Sequence, residues 1–149
     1  MYTDCYCTQF RRSANALTRI YDDALRPIGL KITQFSLLRA LERLGPSTST
    51  ALATEVALER STISRNAKIL IDAGWIDVRE GSHDLRERIL ELSRAGRKKL
   101  ADALPHWAVA QRQVEQGTEI FMNAESGDHQ LISALERLQA QAESIRQSA

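Results

Sequence analysis

Arg60, Arg65 and Lys68 place three cations in a stretch, Arg60 to Ile71, that contains no carboxylate, and Ser61, Thr62, Ser64 and Asn66 set small polar groups among them. On one helix face such a set offers charge to phosphates and hydrogen bonds to base edges. Arg65 has the reach and planar fork to read a guanine edge with two hydrogen bonds. Lys68, one turn beyond Ser64, is a point charge suited to a phosphate. Thr62 and Ser64 lie on adjacent turns, where they meet bases or phosphates. Ser61 is expected first as a helix cap and only then as a phosphate ligand. Thr50, opening the preceding helix, is a further candidate contact. The plain alternative for Arg65 is a phosphate contact or a salt bridge to Glu59 or Asp72.

A second basic group surrounds a polar loop, Gly81-Ser82-His83-Asp84-Leu85-Arg86. Arg79 and Arg88 stand near the base of that loop and can reach phosphates, or else form solvated pairs with Glu80, Glu87 or Glu91. Exposed pairs contribute only about 0–1 kcal/mol, so a polyanion displaces them readily. Three other sets of residues carry groups capable of chemistry. Cys5 and Cys7 form a close thiol pair, too few and too near the start for a disulfide framework. Phe10, Phe35, Leu38 and Trp107 can line a cavity, with Arg12 or Arg39 to pair with a carboxylate, although aromatics among leucines usually pack a core. His83, His106 and His129 are far apart with no partner at ligand spacing, so no metal site is expected. Phosphate loops, nucleophile elbows and paired carboxylates are missing, which points away from an enzyme and from any cofactor.

The elements that carry these residues are largely helical. Phe10, Ala14, Leu17, Ile20, Tyr21, Ala24, Leu25 and Ile28 recur at helical spacing, predicting a long first helix that ends at Pro27-Ile28-Gly29. Thr33 is expected to cap a second helix with Phe35, Leu38, Leu41 and Leu44 on its apolar face, stopped by Gly45-Pro46. After a short connection, Ser47 to Ser49, a third helix from Thr50 to about Leu58 buries Leu52 and Val56. A fourth, capped by Ser61, buries Ile63, Ala67 and Leu70 and stops at Gly74. Ile76-Asp77-Val78 and Arg88-Ile89-Leu90-Glu91-Leu92 alternate like half-buried strands of one hairpin. Ser93 then caps a fifth helix, which Pro105 should kink or interrupt and Gly117 should end. A last helix, about Glu125 to Arg146, presents Leu131, Leu135, Leu138 and Ala142. The fold class is therefore mainly α with a small β-hairpin.

The 149 residues, 43% apolar and 26% charged, suit one globular domain with helical extensions. The start lacks the pattern of a secretory leader and no stretch is apolar enough to span a membrane, so a cytoplasmic protein without a membrane partner is expected. Residues 1 to 113 hold 18 Lys/Arg against 13 Asp/Glu, whereas residues 114 to 149 hold 2 against 6. The acidic end is expected to face away from a polyanion. Long terminal helices with surplus apolar faces call for a partner, and a second copy of the chain satisfies them with a single two-fold patch. Folding back on their own domain is the alternative.

The order of elements resembles the MarR family of winged helix-turn-helix regulators, over nearly the whole chain. Its most specific parts are Ser61-Thr62-Ile63-Ser64-Arg65 through Leu70-Ile71-Asp72-Ala73-Gly74-Trp75-Ile76, followed by Asp84-x-Arg86-x-x-x-Leu90-x-Leu92-Ser93-x-x-Gly96. The resemblance implies an N-terminal dimerisation helix (1–30), a DNA-binding lobe (31–96) and C-terminal dimerisation helices (97–149). It further implies a homodimer on a pseudo-palindromic site in double-stranded DNA, acting usually as a repressor relieved by a small aromatic or phenolic ligand. Arg86 is similar to the family arginine that enters the minor groove, oriented by Asp84; arginines are favoured in narrow A·T-rich grooves. Cys7 falls near the reactive cysteine of the organic-hydroperoxide branch, but Ile32 and Phe35 stand where that branch has tyrosines. A thiol-based sensor and a winged-helix module that docks protein without binding DNA are the competing readings. An acid-free polar helix face favours nucleic acid, because a protein-docking helix would show apolar residues there.

Overall fold

The computed structural model describes residues 5–82, 84, 87–116 and 130–147. Six α-helices, a 3₁₀ turn and three short strands follow in the order α1 (Tyr6–Leu25), 3₁₀ (Arg26–Ile28), α2 (Ile32–Leu44), β1 (Ser47–Thr48), α3 (Ser49–Val56), α4 (Arg60–Asp72), β2 (Ile76–Glu80), β3 (Arg88–Leu92), α5 (Arg94–Gln116) and α6 (Gln130–Gln147). They form two compact units, one reaching to Val109 and one starting at Ala110. The fold is mainly helical, as the spacing predicts.

In the first unit, α2, α3, α4 and the sheet enclose one core. Phe35, Leu37, Leu38 and Leu41 from α2 meet Leu52 of α3, Ile63 and Leu70 of α4, Ile76, Leu90 and Leu92 of the sheet, and Leu100 and Ala103 of α5. The first helix joins this core only through its end, where Leu25 is wholly buried. Gly29 takes a left-handed φ of 68° to turn the chain into α2, a conformation that glycine adopts at little cost. Asp22 of α1 then accepts a hydrogen bond from the Ile32 amide at 2.7 Å, and Gln34 accepts one from the Lys31 amide at 3.0 Å. The start of α2 is therefore fixed both from α1 and by its own third residue, and Lys31, not Thr33, stands at its cap.

Three further expectations change. The connection after Pro46 is not merely a loop: Ser47 and Thr48 pair antiparallel with Leu90 and Ile89, making a three-stranded sheet in the order β1-β3-β2. Two residues are too short a run for alternation to show. Ser61 does not cap α4, because Leu58 is tied by its amide to the Ala53 carbonyl at 3.1 Å and sets Glu59 as the cap. The bond that closes the end of α3 outweighs here the capping preference of serine. Pro105 lies inside α5, which continues past it. Leu100 and Ala103 before it are buried and Trp107 after it packs on the same core, and the hydrogen bond that Pro105 cannot donate to Ala101 falls on the exposed side. Helix α6 is described over Gln130–Gln147; Gly117 and the expected helix start at Glu125 lie outside the described residues.

Candidate nucleic-acid interface

Helix α4 has two faces with little overlap. Ile63, Ala67 and Leu70 are buried, while Ser61, Ser64, Arg65 and Lys68 are exposed and Thr62 is half-buried. Residues two apart on a helix point about 200° away from each other, so burying Ile63 and Ala67 projects Arg65 outward. The turn before it is short because Ala57, in a left-handed conformation with φ 52°, ends α3 directly. On the flank toward α2, Asn66 donates to the Thr62 carbonyl at 2.9 Å and Thr33 donates to Asn66 at 3.4 Å. These bonds fix the roll of α4 against α2 and hence the direction of its polar face.

Arg65 makes neither of the salt bridges that were its alternative; its guanidinium lies 3.5 Å from the Thr62 hydroxyl. It is thus exposed and held close to a hydroxyl on its own face. Asp72 instead pairs with Lys68 at 2.9 Å. The polar face also carries one residue at odds with the sequence reading, since Ile69 is 51% exposed. A lone aliphatic side chain in this position suits the methyl group of a thymine and is too small a patch for a protein-docking surface. Thr50 is exposed at the start of α3, whose cap is Thr48, accepting from the Ala51 amide at 3.1 Å.

The hairpin is set beside α4 by a compact junction. Gly74, with φ 74°, reverses the chain after α4. Ser93 donates to the Gly74 carbonyl at 2.7 Å and accepts from the Gly96 amide at 2.9 Å, capping α5 as expected. The Ser93 amide bonds the Trp75 carbonyl at 3.2 Å, and Lys99 lies 4.5 Å from the centre of the Trp75 ring while donating to the Ile28 carbonyl. Strands β2 and β3 pair in register from Ile76 with Leu92 to Glu80 with Arg88. Arg79 and Glu91 form an exposed pair at 3.7 Å, whereas Arg88 is exposed at the strand start. Beyond the strands, the Gly81 amide bonds the Glu87 carbonyl at 2.8 Å and the Glu87 amide bonds the Asp84 carbonyl at 3.0 Å. Asp84 is exposed; Arg86 and His83 lie outside the described residues.

A chain with this core, a helix pair presenting an outward basic face and a hairpin beside it is a winged helix-turn-helix. The sequence model of the MarR family matches residues 28–87. A crystal structure of the M. tuberculosis transcriptional regulator MosR in complex with DNA is similar to 96% of this chain and 99% of that one, with 33% identity and a TM-score of 0.80. This chain belongs to the MarR family. A second M. tuberculosis MosR crystal structure is 29% identical, covers 97% of this chain and 99% of the other, and gives a TM-score of 0.82. The curated Bacillus subtilis relative YwoH, described as an uncharacterised HTH-type transcriptional regulator, is 32% identical over 91 residues, 61% of this chain and 66% of that protein. The chain thus spans about two thirds of that relative's length. Like its relatives, this MarR-family protein is a DNA-binding transcriptional regulator and not an enzyme.

The remaining candidates of this MarR chain separate into three groups. Phe35, Arg39 and Trp107 come together at an open cavity of about 460 Å³. The two rings stack with centroids 5.9 Å apart, and the Arg39 guanidinium lies 5.0 Å from the Trp107 ring centre. Leu38 is instead sealed in the core, and Phe10 and Arg12 are exposed on α1 away from this cavity. Sequence reading missed Arg43 and Glu55, which form an ion pair at the cavity from α2 and α3; a contact between residues on successive helices carries no periodic signal. Finally, Cys5 is the cap of α1 in an extended conformation and Cys7 is in its first turn, both exposed and neither in a disulfide. Arg11 lies 3.6 Å from the Cys7 sulfur, and hydrogen bonding from Thr8 holds the Cys5 thiol below its ordinary pKa. Among the described residues, no cluster of His, Cys, Asp or Glu is arranged to hold a metal, and no helix is long and apolar enough to cross a membrane.

Proposed function

We propose that this protein is a cytoplasmic homodimeric repressor that seats α4 of each subunit in the major groove of a pseudo-palindromic operator, with the hairpin reaching the adjacent minor groove. The observation that carries this reading is the exposed, cation-bearing face of α4, fixed in roll by the Thr33–Asn66–Thr62 bonds. Ser61, Ser64 and Arg65 address bases and phosphates, Lys68, Arg79 and Arg88 the backbone, and Thr50 a flanking phosphate. Arg86, oriented by Asp84, enters the minor groove in keeping with the family resemblance. The terminal helices, 1–30 and 97–149, supply the dimer interface, and the exposed Tyr6, Phe10 and Ile20 of α1 are apolar surface that a second subunit would cover.

Relief of repression falls to a small aromatic carboxylate in the cavity of Phe35, Arg39 and Trp107. Stacked rings bind an aromatic plane and a guanidinium held over them binds a carboxylate. The test is selection of bound sequences from a random duplex pool, followed by titration of the complex with aromatic acids. Enrichment of an inverted repeat, bound by two subunits and released by the acid but not in the Arg39→Ala protein, supports the reading. No enriched sequence, or a bound monomer, refutes it.

A second signal is favoured by the exposure of both thiols and the stabilised Cys5 thiolate. Peroxide oxidises one thiolate to a sulfenic acid, and attack by a second thiol releases water and forms a disulfide. Cys7→Ser is then expected to keep its hold on DNA under peroxide while the parent protein lets go. Identical release of the two on a mobility-shift gel removes the thiols from the mechanism.

A further inference from the structure

Between α4 and β3 lies a cleft of about 320 Å³ lined by Lys68, Arg88, Ser49 and Ser64 together with Leu90 and Asp72. Two cations and two hydroxyls around a partly open cavity match a tetrahedral, singly charged oxyanion. A carboxylate is out of place there. Asp72 is the last residue of α4, where the helix dipole disfavours negative charge. Its pairing with Lys68 also runs cation before anion along the helix, the weaker of the two orders for an i,i+4 pair. Helix stability therefore gives Asp72 little reason to be where it is, while its carboxylate oxygen lies 2.9 Å from the Lys68 ammonium, occupying one of the groups the cleft offers to an anion.

We propose that this cleft is the seat of one DNA backbone phosphate, gripped by Lys68 and Arg88 and steadied by Ser49 and Ser64, and that Asp72 is a built-in competitor for Lys68. The inference rests on the DNA-binding reading above and deepens it by naming Ser49 and Asp72, two residues that act on affinity and not on base choice. Duplex binding exchanges Asp72 for phosphate on Lys68. Part of the counterion release expected from that cation is thereby cancelled in advance, which holds affinity and its salt dependence below what the cations alone would give.

The test measures operator affinity against salt for the full-length protein, Asp72→Asn, Lys68→Ala and the double variant. Asp72→Asn is expected to bind about five-fold more tightly, the gain a water-screened unit charge supplies at contact range, and to steepen the salt slope by up to about 0.9, the contribution of one phosphate. In the Lys68→Ala background the same change should give a clearly smaller gain, which makes the two residues energetically coupled. Replacing single phosphates of the operator by neutral methylphosphonates should abolish the gain at one linkage per half-site. A gain that survives every neutral linkage means that the cleft serves a free oxyanion and overturns the proposal. Equal affinity and slope for Asp72→Asn and parent, or an equal gain with and without Lys68, also overturns it while leaving the DNA-binding function intact. A parent protein that binds no oligonucleotide removes both.

Discussion

Gly96→Ala is expected to lower the unfolding free energy by about 2–4 kcal/mol, the largest single-site effect on stability predicted for this chain. A Cβ at this position would lie 2.0 Å from the Trp75 carbonyl oxygen and 2.9 Å from its carbon, and these are backbone atoms that have no rotamer to yield. Alanine is worth about 1 kcal/mol more than glycine inside a helix, so local propensity argues for the substitution. The overlap decides otherwise. Relieving it moves the start of α5 from the hairpin base and strains the Gly96–Ser93 and Ser93–Trp75 hydrogen bonds, each worth about 1 kcal/mol, on top of an overpacking cost of about 1–3 kcal/mol. For a protein of this size the melting temperature should fall by roughly 5–15 °C, as read by circular dichroism. DNA affinity should fall as well, because the same junction sets the hairpin beside α4. A melting temperature equal to the parent's would mean that the helix does not approach the hairpin this closely.

Arg65→Ala is expected to cost about 1–3 kcal/mol on the selected operator and to relax preference at one base pair per half-site. The side chain is exposed, unpaired by Glu59 or Asp72, and backed by the buried Ile63 and Ala67 that project it outward. Loss of a forked donor should matter more on the cognate sequence than on random duplex, since only the cognate offers the guanine edge. Lys68→Ala provides the contrast: it should weaken all sequences alike and reduce the salt slope by at most about one, and by less to the extent that Asp72 already offsets its charge. Competition binding against cognate and random duplexes separates the two. Equal losses on both for Arg65→Ala would reassign that guanidinium to the phosphate backbone.

The parts legible in the sequence are those that repeat. Apolar residues at helical spacing placed α2, α4 and the start of α5, and the alternation from Arg88 to Leu92 marked β3. The polar face of α4 was readable because its cations cluster without an intervening acid. What escaped was decided by particular contacts, near and far along the chain, that periodicity does not mark. β1 exists only because β3 offers it an edge, and the cap of α4 moved from Ser61 to Glu59 because Leu58 is anchored to α3. In the same way Asp72 met Lys68 instead of Arg65, a choice of rotamer and turn that residue types alone leave open. Pro105, a helix breaker by local rule, stays in α5 because core contacts on either side outweigh one missing hydrogen bond. The cavity was half legible: its aromatics were named, but Leu38 and Phe10 lie on opposite sides of a boundary between core and surface that only packing draws.

The chain has two tryptophans, and each lies close to a cation: Trp75 near Lys99 at the foot of the hairpin, Trp107 near Arg39 at the cavity. Indole emission shifts with the local field and with access to water, so the molecule carries two optical gauges at separate places. With Trp107 replaced by phenylalanine, the surviving glow reports the hairpin; with Trp75 replaced, it reports the cavity. The sequence of their colour changes on rapid mixing would then tell whether an effector is felt first where it lands or where the duplex is held.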